Sequence, residues 1–312
     1  MTDKSISTVL VTGAAGGIGW TVTKMLLDRG HKVVAFDDYT TGLERPQAPG
    51  VTWEHADIGD PSLVEKLGRY PIDAIVHCAA RLADQSMAKP SEDARTNAFG
   101  SMQLFEWAAR NKVQRVVFTS SSGVYGDPPS KPIKETDPVR AETIYSANKL
   151  ACEAYLRILE KGYGLPWAVV RLFPTYGTTH KPSKTQGILN VMITQLLEGN
   201  EVIVKGSLER VRDLVYVEDT AGAIVECLFA EKARGRTFNV GTGKEITVRQ
   251  MIYYIAEALG RPKDAVKLTE LPGTPGDPLY NVADVSAIKD AIGFEAKTSL
   301  REGIGHLVAA RT

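Results

Sequence analysis

The chain has 312 residues, 43% hydrophobic and 24% charged, with 37 basic and 37 acidic side chains. That composition suits a folded protein with one large or two modest cores, and the zero formal charge argues against nucleic acid or a membrane surface as the main partner. Three scattered cysteines, Cys78, Cys152 and Cys227, lack the paired spacing of a disulfide framework or zinc site, and no stretch reaches the length of a membrane span.

The first apolar run, "STVLVTG", passes straight into a glycine loop, so it reads as a strand and not as a secretion signal. A cytoplasmic protein is expected. A helix over Trp20–Arg29 follows, then strands "KVVAFD" and "VTWEHAD", a helix over 61–69 and a fourth strand "IDAIVHCAA". A helix over Ala94–Lys112, the strand "VQRVVFTSS", a long helix over Tyr145–Lys161 and the strand "PWAVVRLF" complete the pattern. Strands apolar on both faces, alternating with helices, predict a doubly wound α/β domain with a parallel sheet of Rossmann type.

After Phe173 the alternation loosens. Residues 174–187 read as a long loop, Ile188–Glu198 as a helix, and "VRDLVYVED" with a helix over Thr220–Ala230 as a return to the first domain. The expected division is a dinucleotide-binding domain from 1–173 plus about 210–238, and a smaller non-contiguous α/β substrate domain from about 174–209 plus 239–312.

"VTGAAGGIG" places Gly13, Gly16, Gly17, Ile18 and Gly19 between a strand and a helix start. Glycines there allow a tight turn and close approach to a pyrophosphate, whose charge the helix N-terminus favours. Asp37 ends the second strand, where a carboxylate accepts hydrogen bonds from ribose hydroxyls and repels a 2′-phosphate. NAD is therefore expected over NADP. Asp57 and Ile58 are candidates to meet the adenine, Ala79 and Ala80 to let the dinucleotide pass, and Asn97 to face it. Packing or capping is the alternative for each.

"YSANK" sets Tyr145 and Lys149 four apart on one helical face. An ammonium beside a phenol favours the phenolate, which makes the pair a candidate acid–base unit, and the lysine can also hold a nicotinamide ribose. Five dispersed histidines show no metal-ligand grouping, and no metal is expected.

These motifs, with "HCAA", "TSSSGVYG", "RDLVYVEDTAGAI", "FNVGTG" and "TSLREGI", carry a resemblance over nearly the whole chain. It resembles the extended short-chain dehydrogenases/reductases, specifically the NAD-dependent epimerase/dehydratase group that includes UDP-sugar 4-epimerases. The resemblance implies that Ser121, three residues before Val124, is the catalytic hydroxyl beside Tyr145 and Lys149. Dehydratases of the family place Asp and Glu directly after that hydroxyl, where this chain has Ser122 and Gly123, so oxidation and return reduction at C4 are expected. An epimerase acting on a UDP-glucose or UDP-glucuronate type of sugar leads, with a sugar dehydrogenase or 4-ketoreductase as the alternative.

On the substrate side the resemblance implies a diphosphate contact from Arg212, with Ser86, Ser122 and Thr143 as candidate pocket residues. Two family positions depart. An asparagine after the sixth strand is replaced by Pro174, and an arginine before Pro–Gly–Asp is replaced by Thr274. Lys181, Lys184 or Lys205 are candidates to restore the charge. The family also implies a homodimer through the helices over 94–112 and 145–161.

Overall fold

A computed structural model describes residues 6–43, 47–82, 86–180, 182–184, 186–273 and 277–312. Seven parallel strands form the main sheet. They are β1 (Thr8–Thr12), β2 (Lys32–Asp37), β3 (Val51–His55), β4 (Ala74–His77), β5 (Arg115–Ser121), β6 (Trp167–Leu172) and, after the short pieces below, β11 (Arg236–Val240). Their order is β11-β6-β5-β4-β1-β2-β3, so the winding direction reverses between β1 and β4.

Side-chain alternation explains why these runs are apolar throughout. Val9, Val11, Val33, Ala35, Ala74, Val76, Val117, Ala168 and Val170 face one core, with the helices Gly17–Asp28 and Val217–Phe229. Leu10, Val34, Phe36, Ile75, Val116, Phe118, Trp167 and Val169 face the other, with Ser101–Arg110 and Ile144–Tyr163. A period of two buried on both sides leaves no polar face, as in a sheet covered by helices.

The predicted helix over Ala94–Lys112 is a composite. A turn of α-helix at Pro90–Asp93 leads into a π-helical stretch, Ala94–Gly100, before the α-helix Ser101–Arg110. Within it the Asn97 carbonyl accepts from the Ser101 hydroxyl at 2.6 Å and from Cys152 Sγ at 3.0 Å. The long helix Ile144–Tyr163 begins at Thr143, whose hydroxyl accepts the Ser146 N–H at 3.1 Å, and ends at Gly164 with φ +72°. Such a cap contributes about 1 kcal/mol.

The chain then adds β7 (Thr175–Tyr176), β8 (Glu201–Lys205), β9 (Val211–Arg212) and β10 (Val215–Tyr216), and beyond β11, β12 (Ile246–Thr247), β13 (Lys267–Leu271) and β14 (Tyr280–Asn281). A separate core joins Ile193, Val202, Ile252, Ile255, Ile304 and Leu307. Two segments assigned above to the second domain pack with the main sheet. β11 runs to Val240 and completes the sheet, and Ile288 and Ala291 of the helix Ser286–Ile292 pack on the sheet core. Their apolar faces are too short to register as a return to the sheet. No helix among the described residues is long and apolar enough to cross a membrane.

Candidate active site

A cleft of about 480 Å³ opens at the carboxyl ends of the strands, where the order reverses. That is the usual place for a ligand in an open parallel sheet, and its size lies within the common range of about 300–1,000 Å³. The glycine loop forms its floor. Gly13 has φ +66°, and a Cβ there would stand 2.6 Å from the Ala79 nitrogen. A Cβ on Gly19 would run into the Gly13 carbonyl, so loop and helix meet without side chains between them. Asp37 is buried, and its Oδ2 accepts the Ala15 N–H at 2.9 Å while Oδ1 accepts the Tyr39 N–H at 2.7 Å. A carboxylate beside a glycine cradle at a helix N-terminus fits a dinucleotide with a free ribose 2′-hydroxyl.

Gly13, Gly16, Gly17, Ile18, Gly19, Asp37, Asp57, Ile58, Ala79 and Ala80 all line this cleft. Asp57 accepts the Gly59 N–H at 2.8 Å and pairs with Arg95 at 2.6 Å, so its carboxylate also shapes the loop after β3. Asn97 is placed differently from expectation. It is buried outside the lining, with Oδ1 accepting the Arg81 N–H at 2.8 Å and Nδ2 donating to the Arg81 carbonyl at 2.9 Å. Both faces of its amide are used in holding the backbone after β4.

Ser121, Tyr145 and Lys149 line the same cleft. Ser121 Oγ accepts the Gly123 N–H at 3.1 Å, which leaves its own proton free to donate. Lys149 is buried, donates from Nζ to the Thr119 carbonyl at 2.8 Å, and stands 4.7 Å from the Phe118 ring centre and 5.7 Å from that of Tyr145. The surroundings do not favour the phenolate as the spacing alone suggests. Burial pushes the Tyr145 hydroxyl up to about 12, the Asp93 carboxylate adds to this, and the Ser121 hydroxyl opposes it. Burial also holds Lys149 below its ordinary value. The ammonium meets the tyrosine through its ring face, so the geometry lacks the direct contact that would stabilise the anion.

His77 of the "HCAA" strand is a structural tie. Its Nδ1 meets Thr12 Oγ1 at 2.6 Å and Nε2 meets Ser101 Oγ at 2.9 Å, and burial pulls its pKa down to about 3.

The expected substrate residues separate. Ser122 lines the cleft, with its hydroxyl accepting Asn281 Nδ2–H at 3.1 Å. Thr143 caps the catalytic helix outside the lining. Ser86 is fully buried outside it, and its hydroxyl has no partner among the described residues. Arg212 is also outside the lining; it donates to Asp277 Oδ1 at 2.5 Å and to the Val211 carbonyl at 2.8 Å. Arg210 pairs with the other oxygen of Asp277. Two guanidiniums thus share one carboxylate. Lys184 is exposed and paired with Glu198 at 2.5 Å, while Lys181 and Thr274 lie outside the described residues.

Sequence reasoning missed His180, Arg81 and Asn190, which line the cleft, and Pro174 lines it too. The His180 ring lies over Gly17, so that a Cβ on Gly17 would be 2.7 Å from it. Thr179 donates to the Gly17 carbonyl at 3.0 Å. The available signal was position: "YGTTH" begins four residues after the end of β6, at the same end of the sheet as the glycine loop.

Residues 9–241 match the NAD dependent epimerase/dehydratase family. The UDP-glucose 4-epimerase of Mycolicibacterium smegmatis is 33% identical over 306 residues, covering 96% of each chain. The structure of a UDP-glucose 4-epimerase from Thermus thermophilus, in complex with NAD, has a TM-score of 0.89 and 32% identity, covering 97% of this chain and 98% of that one. A UDP-glucose 4-epimerase from Thermotoga maritima, solved with UDP-glucose, has a TM-score of 0.91 at 29% identity, covering 97% and 98%. With the glycine cradle, Asp37 and the Ser121–Tyr145–Lys149 group in one cleft, the chain belongs to the NAD dependent epimerase/dehydratase family.

Proposed function

We propose that the protein inverts the configuration at C4 of a UDP-activated hexose through a transient 4-keto sugar. The observation that carries this reading is the poverty of acid–base groups around the triad. The described carboxylates of the cleft are Asp37, Asp38 and Asp57, and all lie at or just after the ends of β2 and β3, on the far side of β1 and β4 from Tyr145. Where a dehydratase needs a second acid–base pair, Ser122 is bonded to Asn281 and Gly123 offers no side chain. A Cβ on Gly123 would stand 2.8 Å from Ser146 Oγ. His180 lies over Gly17 on the cofactor loop, so among the triad residues proton traffic falls to Tyr145, which suits removal and return at one hydroxyl.

NAD supplies hydride acceptance and return when it is bound. The chain's own part is positional. The glycine loop and Asp37 hold the adenosine half, and Lys149, with one proton on the Thr119 carbonyl, has two left for a ribose. Ser121 donates to the sugar hydroxyl or to Tyr145, and Tyr145, once it has given up its own proton against the pull of burial and Asp93, takes that of the 4-hydroxyl and later gives it back. The walls of the cleft keep water from the keto stage.

Incubation with UDP-glucose and UDP-galactose separately, followed by proton NMR of the anomeric region, is the test. Interconversion without net NADH supports the reading. Stoichiometric NADH, or a 4-keto-6-deoxy product, replaces it with the dehydrogenase or dehydratase alternative. A homodimer through the helices at 94–110 and 144–163 is part of the same proposal, supported by Phe99 and Ile158, which are 52% and 64% exposed there. Sedimentation equilibrium of wild type against Ile158→Glu checks it.

A further inference from the structure

Asp93 is completely buried, on the turn of helix just before the π-helical stretch, and outside the cleft. Its two oxygens reach two different parts of the site. Oδ1 accepts Asn148 Nδ2–H at 2.5 Å, from the residue between Tyr145 and Lys149 on the catalytic helix. Oδ2 accepts Asn97 Nδ2–H at 2.9 Å, from the amide that clamps the Arg81 backbone behind the cofactor side of the cleft. A buried carboxylate with amide partners alone keeps most of its field, since amides offset its charge only in part.

We propose that Asp93 is a positioning residue of the acid–base centre: its buried carboxylate ties the catalytic helix to the loop after β4 and sets the field in which Tyr145 holds its proton. The inference rests on Tyr145 being the acid–base group, which the substrate assay above tests separately.

The neighbouring charges leave this role to Asp93. On its own helical segment Glu92 is taken up by Arg81 and Lys89, and Arg95 by Asp57. The catalytic helix presents Tyr145, Asn148 and Lys149. Around Lys149 the other groups are Cys78, Cys152 and Glu153, the last of which is bound to Arg171 and Ser120. At Tyr145 the Asp93 carboxylate is the charged group that strengthens the grip on the phenolic proton, against the Ser121 hydroxyl.

Two substitutions separate field from scaffold because they push in opposite directions. Asp93→Asn removes the charge, so Tyr145 ionises more readily. Asn148→Ala keeps the charge and removes a donor that partly offsets it, so Tyr145 ionises less readily. The measurement is tyrosinate absorbance against pH in the NAD-loaded protein, each variant read as a difference from its own Tyr145→Phe double, alongside the pH profile of kcat. Asp93→Asn is expected to move both curves about one pH unit lower, a tenfold change in acid dissociation, and Asn148→Ala to move them higher by a smaller step. Curves that stay in place while both variants lose thermal stability, or that move in the same direction, overturn the proposal. If Asp93→Asn does not fold, Asn148→Ala decides alone: an upward shift supports the assignment and an unmoved curve overturns it.

Discussion

At the β1 end of the cleft the decisive contacts are backbone against backbone, with Gly13 turned at φ +66° and its Cα set against the Ala79 nitrogen. At the Arg212 cluster, outside the cleft lining, they are side chain against side chain, with Arg210 and Arg212 sharing Asp277 across 67 and 65 residues. The first arrangement depends on atoms that are missing and tolerates no additions. The second depends on charge balance between distant segments and can be rearranged without altering any turn. The comparison teaches that the cofactor loop and the Arg212 cluster are held by different physics, one by close backbone approach and the other by charge pairing between distant segments.

The comparison is sharpest at the point between the ends. Tyr145→Phe is expected to lower kcat by about 10²–10⁴-fold while the protein retains its NAD, as read by steady-state rates and by cofactor content after purification. Loss of cofactor along with activity would show that the ends are not separable at the triad. Gly13→Ala strains the β1 end alone. A side chain in that left-handed turn costs about 1–3 kcal/mol before its contact with Ala79 is counted, so NAD affinity is expected to fall at least about tenfold. Titration of stripped protein with NAD measures it.

Asp277→Asn addresses the other end. Buried Arg210 and Arg212 lose their shared counter-charge, and the expected loss is about 2 kcal/mol, less than for a fully buried pair because Asp277 is partly solvated. Urea denaturation reads the loss, and an unchanged NAD affinity would keep the two ends distinct. An effect absent at neutral pH, and visible only as acid is added, belongs to the scaffold between them. His77 stays neutral in the folded protein down to about pH 3, whereas the unfolded chain protonates it near its ordinary 6.5. The unfolded state then binds more protons, so stability falls as pH drops from about 6.5 toward 3, by up to about 1.4 kcal/mol per pH unit. That component of the slope should vanish in His77→Asn.

How much of this was legible follows the same division. The β-branched runs, the glycine spacing, Asp37 and the Tyr145–Lys149 interval all act through local geometry, and the structure gathers them in one cleft. Asn97 and Thr143 read as ligand contacts from their place beside motifs, and Arg212 from the family resemblance, and none of the three lines the cleft. Their partners are the Arg81 backbone, the Ser146 N–H and Asp277, and two of those three come from another part of the chain. The π-helical stretch was invisible for a related reason. Its apolar spacing resembles an α-helix. The expectation for Tyr145 erred on distance and burial, which no spacing along one helix records.

The tightness at Gly123 bears on how such a protein could change over time. Ser146, which any side chain at 123 would strike, is bonded through both its N–H and its hydroxyl to Thr143, the residue that starts the catalytic helix. A side chain at 123 would turn the Ser146 hydroxyl away and cost its bond to Thr143, while the Ser146 N–H keeps its own bond to the same cap. A change beside the catalytic serine is thus felt first at the start of the helix that carries Tyr145 and Lys149.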